Sequence, residues 1–196
     1  MLSEAVLRVE DLRVYYFTSR GVARAVDGVS FEIRKGEFFG LVGESGCGKT
    51  AIALSILGLV PFPGKTVGGR VLFEGTDLLK VRREMLRRIR GKRIAMISQD
   101  PMSSLNPVFT VGDQIVTAMR THSPGTNKKE AWGKAVDMLR LVNITAPERR
   151  VRNYPHELSG GMKQRVMIAL ALSSGPEVLI ADNPTTALDS TIQLQF

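Results

Sequence analysis

The chain has 196 residues, of which 43% are hydrophobic and 23% charged, a balance typical of one globular domain with a sizeable core. Its one cysteine, Cys47, excludes an intrachain disulfide, and no stretch resembles a signal peptide or a membrane span, so any membrane role is expected to be peripheral. The formal net charge of +8 leaves nucleic acid, an anionic membrane surface and an anionic ligand open as partners.

Short apolar or branched runs bounded by turn residues predict strands in the first half of the chain, at residues 6–14, 29–33, 37–42, 70–73 and 93–98. The run at 37–42 ends directly in glycines and is followed by an apolar stretch at 50–59. A buried strand, a loop and a helix are therefore expected in succession. Seven cationic residues crowd residues 82–93. A helix is expected there up to Gly91, and a solvated helix face is favoured over a binding role.

The second half of the chain is mainly helical. Helices separated by proline-containing loops are predicted at residues 111–119, 128–141 and 162–172, before a buried strand at 177–182. Because strands come before and after the helical stretch, residues 99–175 are expected to form a helical subdomain inserted into an α/β core. That core lobe would consist of residues 1–98 and 176–196.

A phosphate-binding loop is predicted between the strand at 37–42 and the helix that follows it. The eight residues Gly43, Glu44, Ser45, Gly46, Cys47, Gly48, Lys49 and Thr50 fit the pattern G-x-x-x-x-G-K-[ST]. Glycines let backbone N–H groups turn toward phosphates, and the helix N-terminus adds positive dipole. Lys49 is expected to reach the terminal phosphates of ATP, and Thr50 to ligate Mg²⁺. Cys47 is expected to serve as a small residue, with a redox role as the minor alternative.

Four other segments resemble the ABC ATPases, and their order and spacing agree with that family over nearly the whole chain. They are a signature-like stretch at 158–165, a Walker B-like strand at 178–182, a Q-loop-like glutamine at Gln99 and a D-loop-like stretch at 186–189. Residues 99–107 and 154–157 resemble, in addition, the oligopeptide, dipeptide and nickel importer branch. The resemblance implies an α/β fold with a P-loop NTPase core of the ABC type, an inserted helical subdomain and an N-terminal antiparallel β region.

The same resemblance implies which residues contact the nucleotide outside the loop. They are Tyr16, Ser159, Gly160, Gly161 and Asp189. Tyr16 would stack on the adenine, with Tyr15 as the competing residue. The three signature residues precede a helix and would bind the γ-phosphate of an ATP that a homologous partner subunit holds.

For the metal, the resemblance implies three ligands, namely Thr50, Gln99 and Asp182. Lys49, Gln99 and position 183 would form the catalytic set. The family usually places a glutamate at this last position to polarise the attacking water, whereas this chain has Asn183. An amide cannot accept the proton, and loss of a general base typically costs about 10² to 10⁴ in rate. Slow hydrolysis at this site is therefore expected.

Two such domains would close head to tail around two ATP molecules and drive transmembrane permease subunits at the cytoplasmic face of the membrane. A substrate-binding protein would take part indirectly. Peptide is the expected cargo, with nickel or oligosaccharide left open, and the chain is expected to be truncated after the D-loop-like stretch. Two alternatives stay open: an ATP-dependent dimerisation module with little or no hydrolysis, and a DNA-associated ABC ATPase. No nucleic-acid partner is expected, because the chain lacks the long coiled coil of DNA-associated members.

Overall fold

The computed structural model describes residues 4–99 and 104–183. It contains two compact units, Met1–Arg87 and Arg88–Phe196, and each is described by itself. No helix in the described ranges is long and apolar enough to cross a lipid bilayer.

The first unit is built on a four-stranded antiparallel sheet with the strand order β2-β1-β3-β4. Its strands are β1 (Ala5–Thr18), β2 (Gly21–Arg34), β3 (Gly64–Phe73) and β4 (Thr76–Asp77). A tight turn joins β1 to β2, and Thr18 Oγ1 closes it by donating to the Gly21 carbonyl at 2.9 Å. The strands predicted at 6–14, 29–33 and 70–73 are confirmed as parts of β1, β2 and β3, together with the N-terminal antiparallel region.

One helix, α1 (Lys49–Ile56), covers the inner face of this sheet and packs against β1 and β2. Ile52 and Ile56 of the helix are buried, as are Val14 of β1 and Val26 of β2. The hydroxyl groups of Ser55 and Thr66 are 2.7 Å apart and join the helix to β3. The predicted helix at 50–59 is thus confirmed, although its last turn is not helical.

The buried strand predicted at residues 37–42 is wrong. The segment has no ladder partner among the described residues, and the side chains of Phe38 and Val42 are 95% and 94% exposed. Phe39 stacks on Phe31 with ring centroids 5.0 Å apart, which ties the segment to the end of β2. The apolar run is suited to a strand, but a strand also needs a neighbour to complete its backbone hydrogen bonds.

The second unit combines a two-stranded parallel sheet with a helical core. The strands are β5 (Ile94–Ile97) and β6 (Val178–Ala181). Where the two strands begin, Arg93 and Glu177 form a bidentate ion pair with N–O distances of 2.6 and 2.8 Å. Leu179 of β6 is 40% exposed, so the strand predicted at 177–182 is present but is buried on one side only.

Helices fill the sequence between these two strands. They are α3 (Val111–His122), α4 (Lys128–Leu141), α5 (Pro147–Arg150) and α6 (Gly160–Leu172), with a short 3₁₀ helix at Pro155–Glu157. The preceding helix, α2 (Arg83–Ile89), confirms the helical part of the basic stretch. The helices predicted at 111–119, 128–141 and 162–172 are confirmed within three residues at each end.

Side-chain caps explain where these helices begin. Thr110, Asn127 and Ser159 precede α3, α4 and α6, and each side-chain oxygen accepts a hydrogen bond from a backbone N–H of the first turn. The helices enclose one buried apolar cluster, to which Ile97 contributes from β5. The helical stretch therefore lies, in sequence, between two strands that pair with each other. The division into a core lobe and an inserted subdomain stays a prediction.

Candidate functional site

The predicted phosphate loop leads directly into α1. Gly46 and Gly48 both have positive φ angles, of 81° and 99°, which side chains other than glycine rarely adopt. A Cβ atom at Gly48 would also lie 2.2 Å from the backbone oxygen of Ala25, whereas one at Gly46 would meet nothing within 4 Å. Gly48 is therefore required by both backbone conformation and space.

The N-terminus of α1 is open to an anion. Gly48 is its N-cap and has no side chain to bond the first N–H groups, and the first turn contains no acidic residue. The positive end of the helix dipole therefore lacks the usual compensating groups. Backbone N–H groups in this arrangement bind phosphate oxygens. Thr50, on the first turn, has an exposed side chain.

Lys49 brings a full positive charge to the same loop. Its Nζ atom donates to the carbonyl oxygens of Gly43 and Glu44, both at 2.7 Å. Cys47 Sγ lies 3.4 Å from this Nζ, and a Cβ built at Gly43 would come within 2.6 Å of the same sulfur. Cys47 therefore packs closely beside Gly43, which leaves no space for a Cβ atom at position 43. This agrees with its expected role as a small residue, although the thiol itself is exposed.

The two neighbouring tyrosines of β1 lie on opposite faces of the sheet. Tyr15 donates its hydroxyl to Asp27 Oδ1 at 2.7 Å, and the Arg24 guanidinium lies 5.5 Å from its ring centroid. The hydrogen bond from Tyr15 is the main cause that lowers the pKa of Asp27. Tyr16 instead lies beside Gly64, where an added Cβ would come within 2.7 Å of Tyr16 Cε1. Tyr15 is thus held in a polar cluster away from Tyr16.

In the second unit, the ends of β5 and β6 bring Gln99, Asp182 and Asn183 to one edge. Ile97 pairs with Ala181, and the Asp182 N–H donates to the Ile97 carbonyl at 2.9 Å. Because the strands are parallel, the residues that follow them lie at the same end of the sheet. Carboxylate and amide oxygens are ligands that suit Mg²⁺. The carboxylate of Asp182 and the side-chain amide of Gln99 therefore have the chemistry expected of the predicted Mg²⁺ ligands.

Asn183 has a feature that the sequence did not indicate. Its φ angle is 51°, in the left-handed region. Asparagine adopts this conformation more readily than most residues with a side chain, because its short amide can bond locally to the backbone. A glutamate at this position would lack that advantage.

The predicted signature residues form the start of α6. Ser159 is the N-cap, and its Oγ accepts from the Met162 N–H at 3.4 Å. Ser159 and Gly160 are exposed, Gly161 is half-buried, and a Cβ at Gly160 would meet nothing within 4 Å. No acidic residue occurs in the first turn of α6, so this helix start also favours an anion.

Several side chains that support these segments were not identified from sequence. Ser98 and Ser104 share a hydrogen bond of 2.5 Å across the loop that begins with Gln99, and the Ser98 hydroxyl also lies 3.5 Å from Met167 Sδ on α6. Glu157 Oε2 accepts from the Tyr154 N–H at 2.6 Å and fixes the turn before the signature. The Ser98–Met167 contact has no sequence signal because it joins residues distant in the chain, whereas the Tyr154–Glu157 bond is a local capping contact that the sequence pattern could have indicated.

The predicted site residues that the structure describes belong to two units. Tyr16 and residues 43–50 belong to the first unit, and Gln99, Asp182, Asn183 and Ser159–Gly161 to the second. Asp189, with the rest of the D-loop-like stretch at 186–189, lies outside the described residues, as do positions 100–103 of the stretch at 99–107.

Comparison with known proteins gives consistent matches. Residues 26–186 match the ABC transporter family. The chain is 55% identical over 195 residues to the probable peptide ABC transporter ATP-binding protein y4tR of Sinorhizobium fredii, covering 99% of this chain and 58% of that protein. It is 50% identical over 194 residues to the dipeptide transport ATP-binding protein DppD of Bacillus subtilis, covering 98% of this chain and 58% of that protein. The chain thus spans 58% of the length of these relatives.

Solved structures agree with the sequence matches. The dimeric ATP-binding cassette MJ0796, in a post-hydrolysis state bound to ADP and Pi, superimposes with a TM-score of 0.87. The sequence identity is 27%, and the match covers 96% of this chain and 78% of that one. A second dimeric structure of MJ0796, described as a bacterial ABC transporter cassette, gives the same values. These matches confirm the predicted α/β P-loop fold of the ABC type.

Proposed function

The chain belongs to the ABC transporter family, and on this basis we propose that it is the ATP-binding part of a subunit that powers a di- or oligopeptide importer. The observation that carries the proposal is the phosphate loop, in which an uncapped helix start, a required Gly48 and the Lys49 ammonium converge. The names of relatives that transport peptides or dipeptides support the choice of cargo.

Nucleotide binding follows from the chemistry of this loop. The N–H groups at the start of α1 donate to phosphate oxygens, and Lys49 turns from the Gly43 and Glu44 carbonyls toward the terminal phosphates. Tyr16 stacks on the adenine, which is consistent with the engagement of Tyr15 by Asp27 on the opposite face of the sheet. Thr50, Gln99 and Asp182 are the proposed oxygen ligands of Mg²⁺, which neutralises phosphate charge when it is bound.

Dimerisation supplies the second half of each site in this proposal. Ser159, Gly160 and Gly161 donate from the start of α6 to the γ-phosphate of an ATP held by a homologous ATPase subunit, with Asp189 nearby. The dimeric state of the MJ0796 cassettes supports this arrangement. ATP then forms part of the interface, and its hydrolysis opens the dimer and moves transmembrane permease subunits at the cytoplasmic face of the membrane. A substrate-binding protein delivers the peptide.

A second candidate function is an ATP-dependent dimerisation module with little hydrolysis. Asn183 favours it, because an amide cannot accept a proton and because the left-handed backbone at this position suits asparagine. Asn183→Glu separates the two candidates. If Asn183 limits hydrolysis, phosphate release should rise by about 10² to 10⁴ in the variant. A release rate that does not change would refute this role of Asn183.

ATP binding is tested with Lys49→Ala, and Lys35→Ala serves as a matched control because it removes an exposed lysine from the same unit. A charge-assisted hydrogen bond contributes about 1.5–3 kcal/mol, so Lys49→Ala should weaken Mg-ATP binding by about 10- to 150-fold in calorimetry. The control should bind ATP as the unchanged chain does. Equal affinities of the two variants would contradict the proposed site.

ATP-induced dimerisation is measured by sedimentation in the same samples. A chain that binds ATP and dimerises without releasing phosphate above background would be the dimerisation module. Retention on duplex DNA at physiological salt, with strong salt dependence, would instead favour a DNA-associated ABC ATPase.

A further inference from the structure

A group of exposed basic residues surrounds the start of α2. It consists of Arg82, Arg83 and Arg87 together with Met85, whose side chain is 47% exposed, and we refer to these four residues as the basic patch. Leu86, one turn after Arg82, is half-buried. The sequence pattern favoured a solvated helix face. The ion pairs of the first unit distinguish these arginines from those of the sheet.

The arginines of the sheet strands all form ion pairs with carboxylates, and Arg8 and Arg34 share Glu32. Each arginine in β1, β2 and β3 lies 2.6–3.5 Å from a glutamate or aspartate oxygen, and these five are Arg8, Arg13, Arg24, Arg34 and Arg70. Within the described residues, by contrast, none of the three arginines of the basic patch lies in an ion pair. Their positive charge is therefore not balanced inside the first unit.

Helix stability does not account for the charges of Arg82 and Arg83. The Arg82 carbonyl accepts hydrogen bonds from the N–H groups of Met85 and Leu86. Arg82 is therefore the N-cap of α2, and Arg83 is its first helical residue. Cations are unfavourable at the positive end of a helix dipole, and Glu84 offsets them only in part. Arg87 lies in the last turn of α2, and Arg149 and Arg150 lie in the last turn of α5, where cations are favourable. Among these arginines, only Arg82 and Arg83 therefore oppose the helix dipole.

We propose that the basic patch binds an anionic lipid surface. Guanidinium groups pair well with the phosphates of lipid headgroups, and several arginines on one short helix can meet a planar array of such phosphates together. The patch has no aromatic residue, so it lacks the stacking platform typical of single-stranded nucleic-acid sites.

The test is flotation of the full 196-residue chain with lipid vesicles. One set of vesicles is phosphatidylcholine alone, and the other contains about 30% phosphatidylglycerol to give a negative surface. The chain should bind the second set much more strongly at low salt and lose this binding at about 0.5 M salt, where charges are screened within a few ångströms. Equal binding to both sets would refute the proposal.

Two triple variants of equal charge locate the binding surface. Arg82→Gln/Arg83→Gln/Arg87→Gln should lower the partition coefficient on phosphatidylglycerol vesicles by about a hundredfold, which is about fivefold for each charge. Arg149→Gln/Arg150→Gln/Arg152→Gln is the matched control: it removes the same number of charges from residues outside the patch and should change the partition coefficient by no more than about threefold. Equal losses in both variants would show that net charge, not the patch, is responsible, and would refute the proposal.

Two further measurements keep the test decisive. Replacing the same three arginines by lysine retains the charge and should retain vesicle binding, which excludes misfolding as the cause of the loss seen with glutamine. Duplex DNA is assayed with the same variants. Loss of DNA binding in the glutamine variant, with vesicle binding unchanged, would assign the patch to nucleic acid and overturn the lipid proposal.

Discussion

Replacing Gly48 by alanine perturbs the phosphate loop through two separate effects. The residue has a φ angle of 99°, and the added Cβ would lie 2.2 Å from the Ala25 carbonyl oxygen. The left-handed backbone costs an alanine about 1–2 kcal/mol. The overlap is with backbone and not with a movable side chain, so relieving it should cost about a further 1–3 kcal/mol. The total loss of stability expected is about 2–5 kcal/mol.

Gly46→Ala is the matched control. It introduces the same methyl group at a φ angle of 81°, but in open space, so only the backbone cost of about 1–2 kcal/mol applies. The free energies of unfolding are measured by urea titration with linear extrapolation, and the difference between the two variants isolates the overlap with Ala25. Gly48→Ala should also bind Mg-ATP more weakly than Gly46→Ala, because the shift needed to relieve the overlap moves the start of α1.

A larger loss of stability for Gly48→Ala by about 1–3 kcal/mol would support the geometry of the loop. Equal losses for the two variants would refute the reasoning, since the Ala25 carbonyl would then impose no limit at position 48.

Two other predictions concern side chains of the first unit. Tyr16→Ala should weaken ATP binding by about 1–3 kcal/mol, the usual value of a base–aromatic stack, whereas Tyr15→Phe should leave calorimetric ATP affinity unchanged. Tyr15→Phe should instead raise the pKa of Asp27 toward its ordinary value in an NMR titration. Because folding lowers this pKa, the ionised Asp27 stabilises the fold at neutral pH and this stabilisation is lost in acid. The variant should therefore lose less stability than the unchanged chain when the pH is lowered. Ser55→Ala should lower the free energy of unfolding by about 1–3 kcal/mol, because it leaves the Thr66 hydroxyl without its 2.7 Å partner, and unchanged urea unfolding would contradict this.

The phosphate loop could be predicted from sequence because its requirements are local. Residues 43–50 are contiguous, and glycines, a lysine and a following apolar helix are all visible in one short stretch. The helix at 128–141 was predicted with the observed ends for the same reason, since Asn127 caps it and Ala131, Ala135 and Leu139 repeat at helical spacing. Caps and periodicity are properties of neighbouring residues.

Strand partners and strand faces are not local. The apolar run at 37–42 has the composition of a buried strand, but no described strand pairs with it. Tyr15 and Tyr16 are adjacent and chemically alike, so sequence could not separate them. Side chains alternate along a strand, so Tyr15 and Tyr16 must lie on opposite faces, but which face carries Asp27 and which carries Gly64 depends on the pairing of β1 with β2 and β3.

The sequence by itself determined the phosphate loop, the helices and their caps, because each depends on residues within one or two turns of the chain. Only the tertiary structure decided that β5 and β6 pair in parallel and so carry Gln99, Asp182 and Asn183 to one edge. It also decided which arginines form ion pairs, as Arg8 and Arg70 do, and which arginines of α2 have none among the residues that the structure describes. Both depend on residues that are distant in sequence, and no local pattern encodes such contacts.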